Sequence, residues 1–197
     1  MPSPIVYLVI HCTASAYGKN LTPDDIHKMH KGLKFEGGVY RFNGKTYKTK
    51  EELKGVYLTL PSGAKVEALK TNGRGWGQVG YSDMIDWNGK LINLVPYNND
   101  NIVDPWEVTN GVANMNSKCR HIVMVGGFSK DGRQNGHNEK GQWYKPEELY
   151  TPQAVETLKK YVRDMRVKSP KTEITGHNKL AAKTCPNFDV KEFISRI

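Results

Sequence analysis

Cysteine is scarce in this chain: three residues in 197, Cys12, Cys119 and Cys185, odd in number and far apart. That excludes a disulfide framework and points to reduced thiols and synthesis in the cytoplasm. Long apolar runs are missing too. The run from Ile5 to Ile10 falls far short of the roughly 18 residues that a bilayer span requires, so membrane insertion is not expected. The opening Met1-Pro2-Ser3-Pro4-Ile5 lacks the basic region of a secretory signal, and the apolar run ends in His-Cys-Thr rather than at a small-residue cleavage site, so it reads as a strand. Heptads, internal repeats and low-complexity tracts are absent, which excludes coiled coils and solenoids. Acids are the minority charge, 20 against 29 Lys and Arg, for a net charge of +9. Such a basic surface suits an anionic partner: nucleic acid, anionic lipid, or an acidic polymer such as a bacterial cell wall. Charge alone does not choose among them.

What is present suffices for one buried core, so a single domain over residues 1–197 is expected. Ile5 to Ile10 is β-branched and apolar throughout, as in a central strand covered on both faces. Thr22-Pro23-Asp24-Asp25 and Thr151-Pro152-Gln153 are helix starts, each a capping threonine followed by proline at the first helical position. The first helix should run to about Lys31. In the second, Val155, Leu158, Val162 and Met165 form the inward face. Between about Phe35 and Asn72 two short hairpins are expected, at Asn43-Gly44 and at Pro61-Ser62-Gly63, making a small β-rich insertion. Asn88-Gly89, flanked by alternating residues, is a third hairpin turn. His121 to Gly127 reads as another buried strand, Lys171 to Thr175 as a short one, and Asp189 as the cap of a last short helix. Strands interleaved with helices predict an α/β fold, a central mixed β-sheet flanked by helices.

Chemistry concentrates near the C terminus, in Gly176-His177-Asn178-Lys179-Leu180-Ala181-Ala182-Lys183-Thr184-Cys185. Seven residues separate His177 from Cys185, too many for one helical face and enough for a loop to bring both around one ion. His11, at the end of the first strand, is the best third ligand. Singly, each has a plainer explanation: a core histidine, a loop histidine, a buried small thiol. Together, a His, His, Cys set with an open fourth position is the arrangement of catalytic zinc, whereas structural zinc is closed by four protein ligands. Near such an ion, the Lys183 cation would stabilise an oxyanion, and the Tyr81 hydroxyl would donate to it or orient water.

These residues carry a resemblance. The chain resembles the zinc-dependent N-acetylmuramoyl-L-alanine amidases of the amidase_2 family, the fold of the phage T7 lysozyme type and of peptidoglycan recognition proteins. The matching pieces are Ile10-His11-Cys12-Thr13-Ala14-Ser15, Met29-His30-Lys31, Gly80-Tyr81, Val125-Gly126-Gly127, Gly176-His177, and Lys183-Thr184-Cys185-Pro186-Asn187-Phe188-Asp189. The last is the specific one. The resemblance implies one Zn2+ held by His11, His177 and Cys185, with catalytic Tyr81 and Lys183. It also implies hydrolysis of the amide between N-acetylmuramic acid and the L-alanine of the stem peptide. A phage or prophage endolysin is then expected, made in the cytoplasm without a signal peptide, acting on the wall after release, monomeric, and held to the anionic wall by its charge.

The insertion around 35–72 has no counterpart in the compact T7-type members. His121, Asn114 and Trp76 are candidates for substrate contact, though a structural role explains His121, and loop capping explains Asn114 and Asn116, equally well. Two other functions use the same residues. A non-catalytic peptidoglycan-recognition protein on this fold would typically lack the cysteine ligand, and Cys185 is present. A basic nucleic-acid-binding protein with structural zinc would need a fourth ligand. Cys12 should point away from His11 across the strand, so no nucleic-acid partner is expected.

Overall fold

The apolar run near the N terminus forms the middle of the main sheet. β1 (Ser3–Pro4) is followed by β2 (Tyr7–Cys12), in which every side chain from Leu8 to Cys12 is buried. The strand starts two residues later than the run suggests. The amides of Ile5 and Val6 bond instead to the carbonyls of Asn101 and Lys118, outside the sheet. The structure, a computed structural model, describes residues 1–197, and the chain divides into two compact units: Met1–Leu21 with Tyr81–Ile197, and Thr22–Gly80.

The second unit holds α1 (Pro23–Lys31), β3 (Lys34–Glu36), β4 (Val39–Phe42), β5 (Lys45–Tyr47), β6 (Tyr57–Thr59) and β7 (Lys65–Glu67). Thr22 caps α1 through a reciprocal capping box with Asp25, with proline in the first turn. β3, β4 and β5 form an antiparallel sheet, and β6 and β7 a separate hairpin. Asn43 and Gly44 both have positive φ, +47° and +79°, as a two-residue turn between right-twisted strands requires. Phe42, Leu53, Leu58, Leu60 and Ala68 pack into this unit's own core. This unit takes in α1 and the glycine-rich loop through Gly80 as well as residues 35–72.

The first unit continues with β8 (Asp83–Ile85), β9 (Leu91–Asn93), β10 (Ile102–Val103), β11 (Cys119–Met124), α2 (Pro146–Leu149), α3 (Pro152–Lys168), β12 (Glu173–Gly176), α4 (His177–Leu180) and α5 (Val190–Ile194). Its five-stranded sheet runs β12-β2-β11-β8-β9. The first four strands are parallel, and β9 closes the edge antiparallel through the Asn88-Gly89 hairpin. This is the mixed α/β sheet expected from the sequence. On one face, Leu8, Ile10, Ile122 and Met124 pack against Ala154, Val155, Leu158, Val162 and Met165 of α3 and against Val190 and Phe193 of α5. Each large side chain so buried contributes about 1.5–3 kcal/mol. On the other face, Val9 packs with Val112 and Cys119. Side chains alternate along a strand, so His11 falls on the face of Val9, away from the helices α3 and α5.

Candidate metal centre

Neighbouring parallel strands bring the donors together. Gly176 of β12 pairs with Ile10 of β2, so His177, the next residue, comes level with His11. The two imidazole centroids are 4.7 Å apart and set edge to face. The segment expected to be loop begins with the single turn α4, and the chain then doubles back: the Asn178 amide donates to the Cys185 carbonyl at 2.8 Å. That return places Cys185 Sγ 3.8 Å from His11 Nδ1. The amide of Cys12 donates to the same sulfur at 3.2 Å, a contact suited to a thiolate ligand. Gly127 crowds this corner, where a Cβ would come within 2.9 Å of Cys12 Sγ.

His11, His177 and Cys185 thus form a cluster with all donor atoms within 4.8 Å of one another. A tetrahedral zinc with Zn–N of about 2.0–2.1 Å and Zn–S of about 2.3 Å sets such nitrogen and sulfur ligands roughly 3.5 Å apart. The His11–Cys185 pair is close to that spacing. Two imidazoles and a thiol make a donor set that suits zinc, and three protein donors leave a fourth position open. Cys119 is not among them. It packs with Val9 and Val112, and burial pushes its thiol up to about 11. Cys12 packs into the core on the helix side of the sheet, its thiol against that of Cys185, and is outside the donor cluster.

The electrostatics are consistent with metal ligation. Burial, and then the Lys183 charge, lowers the pKa of His177 and keeps it a neutral donor. The hydrogen bond with the Cys12 thiol, then burial, holds the Cys185 thiol well above its usual range, while the Cys12 amide and Lys183 act in the opposite sense. A cation must displace that proton on binding. Lys183 is exposed, with its charge felt by both His177 and Cys185. The Tyr81 ring centroid lies 5.1 Å from that of His11. Both residues proposed for chemistry therefore belong to the unit that carries the donors.

A family profile described as N-acetylmuramoyl-L-alanine amidase, Amidase_2, matches residues 1–188. The chain belongs to the Amidase_2 family. An endolysin of Enterobacteria phage K11 is 27% identical over 121 residues, 61% of this chain and 67% of the relative. Among solved structures, the Ph2119 endolysin of a Thermus scotoductus bacteriophage is similar with a TM-score of 0.54 and 18% identity, over 98% of this chain and 84% of the other. The amidase LysC from Clostridium intestinale has the same TM-score at 19% identity, over 97% of this chain and 83% of its own. Drosophila PGRP-LB reaches 0.51 at 18% identity, over 98% and 80%. The amidase fold and the hydrolase class are thereby those of this chain, and the sequence-based resemblance agrees with both.

The three residues considered for substrate contact in this amidase fare differently. His121 is fully buried, 0% exposed, with its Nδ1 3.0 Å from His11 Nε2. A side chain so enclosed sits behind His11 rather than on an exposed surface. Burial, then the His177 and Arg120 charges, brings its pKa down to about 3, so it is a neutral ring. Asn114 is exposed in a turn at φ +65°, a conformation that asparagine tolerates. Trp76 lies in the Thr22–Gly80 unit, stacked on His30 at 5.1 Å with the Arg74 guanidinium over its ring at 5.3 Å. Sequence reasoning passed over the Cys12 amide, because no motif marks a backbone donor.

Proposed function

We propose that this amidase binds one Zn2+ through His11, His177 and Cys185, and that Tyr81 and Lys183 act on the reacting groups in hydrolysis of the amide between N-acetylmuramic acid and L-alanine. The observation that carries the reading is the convergence of two imidazoles at the ends of adjacent parallel strands with a thiol from the returning loop, and Tyr81 against His11. When bound, zinc supplies Lewis acidity to the scissile carbonyl and lowers the pKa of a water toward about 7.

The chain's own residues supply the remainder. The Tyr81 hydroxyl orients the attacking water and accepts or relays its proton. The Lys183 ammonium, exposed on the loop that carries Cys185, stabilises the negative charge that builds on the carbonyl oxygen. His11 is 1% exposed, so its ring is held by the fold before any metal arrives. The relatives that are endolysins support a role in degrading the bacterial wall. The net charge of +9 would hold the enzyme, as a monomer, against an anionic wall polymer. A closed structural zinc has less support, because the donor cluster ends at three.

Digestion of purified peptidoglycan tests the reaction. New alanine amino termini without new reducing sugar ends are expected. Reducing ends without free alanine would assign a glycosidase instead. Tyr81→Phe should retain zinc yet lose about 10²–10⁴ in kcat, the usual share of a positioned acid–base group. Wild-type turnover in that variant would remove Tyr81 from the mechanism.

A further inference from the structure

His121 and His11 are diagonal neighbours on one face of the sheet. His121 pairs with Val9 and His11 with Val123 in the β2–β11 register. Their ring centroids are 5.1 Å apart, and Nδ1 of His121 lies 3.0 Å from Nε2 of His11, both rings being buried. The other nitrogen of His11, Nδ1, faces the Cys185 sulfur. A neutral imidazole carries one bare nitrogen and one N–H. For Nδ1 of His11 to donate its lone pair to a metal, the proton must sit on Nε2, and the atom in place to accept that N–H is Nδ1 of His121. We propose that His121 is a positioning residue for the metal centre: it accepts a hydrogen bond from His11 Nε2–H, and so fixes the tautomer and the ring orientation that turn His11 Nδ1 toward the ion. The proposal rests on the zinc reading above.

A histidine that merely fills space is the competing account, and two observations weigh against it. Nε2 of His121 is buried without a hydrogen-bond partner. A leucine at this position would fill the space without that unsatisfied group. The loop before β11 is also shaped around the ring. A Cβ on Gly111 would overlap Nδ1 of His121 and come within 2.6 Å of Cγ and Cε1. The following residue is held as well, its Val112 amide donating to Asn116 Oδ1 at 2.7 Å. On the strand side, the Ser82 amide donates to the His121 carbonyl at 2.9 Å. The backbone that carries the ring is thus held, and the ring itself lies against Gly111 with its Nδ1 on His11.

Zinc affinity, measured by competition with a chromophoric chelator, separates the accounts. His121→Leu removes the acceptor and should weaken zinc binding by roughly 10–100-fold, the usual cost of losing an outer partner of a ligating histidine. His121→Asn places an amide oxygen near the former Nδ1 and should recover most of that loss. Gly111→Ala, which displaces the ring, should weaken zinc as well. Imidazole ¹⁵N shifts of the metal-free wild type carry the test if His121→Leu fails to fold. They should show His11 protonated on Nε2 and bare on Nδ1. Wild-type affinity in His121→Leu, no recovery in His121→Asn, or His11 protonated on Nδ1 would each overturn the proposal. A wild type that binds no zinc while His11 still carries its proton on Nε2 would overturn the zinc reading and leave the tautomer assignment standing.

Discussion

In the proposed reaction, most of the chemistry asked of single residues is assigned to Lys183 and Tyr81. Lys183 is exposed, so replacing it leaves no buried gap, and Lys183→Ala should lower kcat by about 10²–10³ with little change in KM or zinc content, as expected for lost oxyanion stabilisation. An equal rise in KM at constant kcat would make Lys183 a binding residue instead. The donor cluster was legible in the sequence because two of its members lie in one short segment and the third ends an apolar strand. His121 was legible only as an unusual strand residue. Its meaning depends on the β2–β11 register and on Gly111, a contact between a loop and a ring that no local pattern announces.

Secondary elements were readable wherever a turn or cap has its own chemistry. The two Thr-Pro starts and the Asn-Gly hairpins fall where expected, since each depends on neighbouring residues alone. Element ends were less readable: β2 begins late because distant carbonyls claim its first amides, and α4 forms where loop was expected. Thr151 caps α3 through the Ala154 amide at 3.2 Å and donates to the Trp87 carbonyl at 2.7 Å. Thr151→Ala should cost about 1–2 kcal/mol in urea unfolding, and an unchanged midpoint would refute that anchoring role. In the Thr22–Gly80 unit, His30 is buried, and its Nδ1 accepts the Gly80 amide at 3.1 Å. Burial, then the charges of Arg74 and His27, lowers its pKa from 6.5 to about 4. The folded state thus binds fewer protons than the unfolded chain. The stabilisation is complete above pH 6.5 and is lost as pH falls toward 4, with a total of order 3 kcal/mol. His30→Gln should flatten that part of the stability–pH profile, and an unaltered slope would assign it to other groups.

For the whole molecule, the chain divides into two compact units, and the segment from Thr22 to Gly80 encloses an apolar core of its own. Composition conveys the amount of apolar residue but not how it partitions. All three donors, Tyr81 and Lys183 belong to the other unit. Replacing Thr22–Gly80 by a flexible linker should therefore spare zinc binding and alter wall preference, and loss of the metal would contradict this division of roles. The measurement that bears most directly on the account is zinc content alongside release of alanine amino termini from peptidoglycan, for the wild type and Cys185→Ser. The account predicts one zinc per chain and amide cleavage in the wild type, both lost in the variant. Full cleavage by a zinc-free Cys185→Ser protein would contradict it.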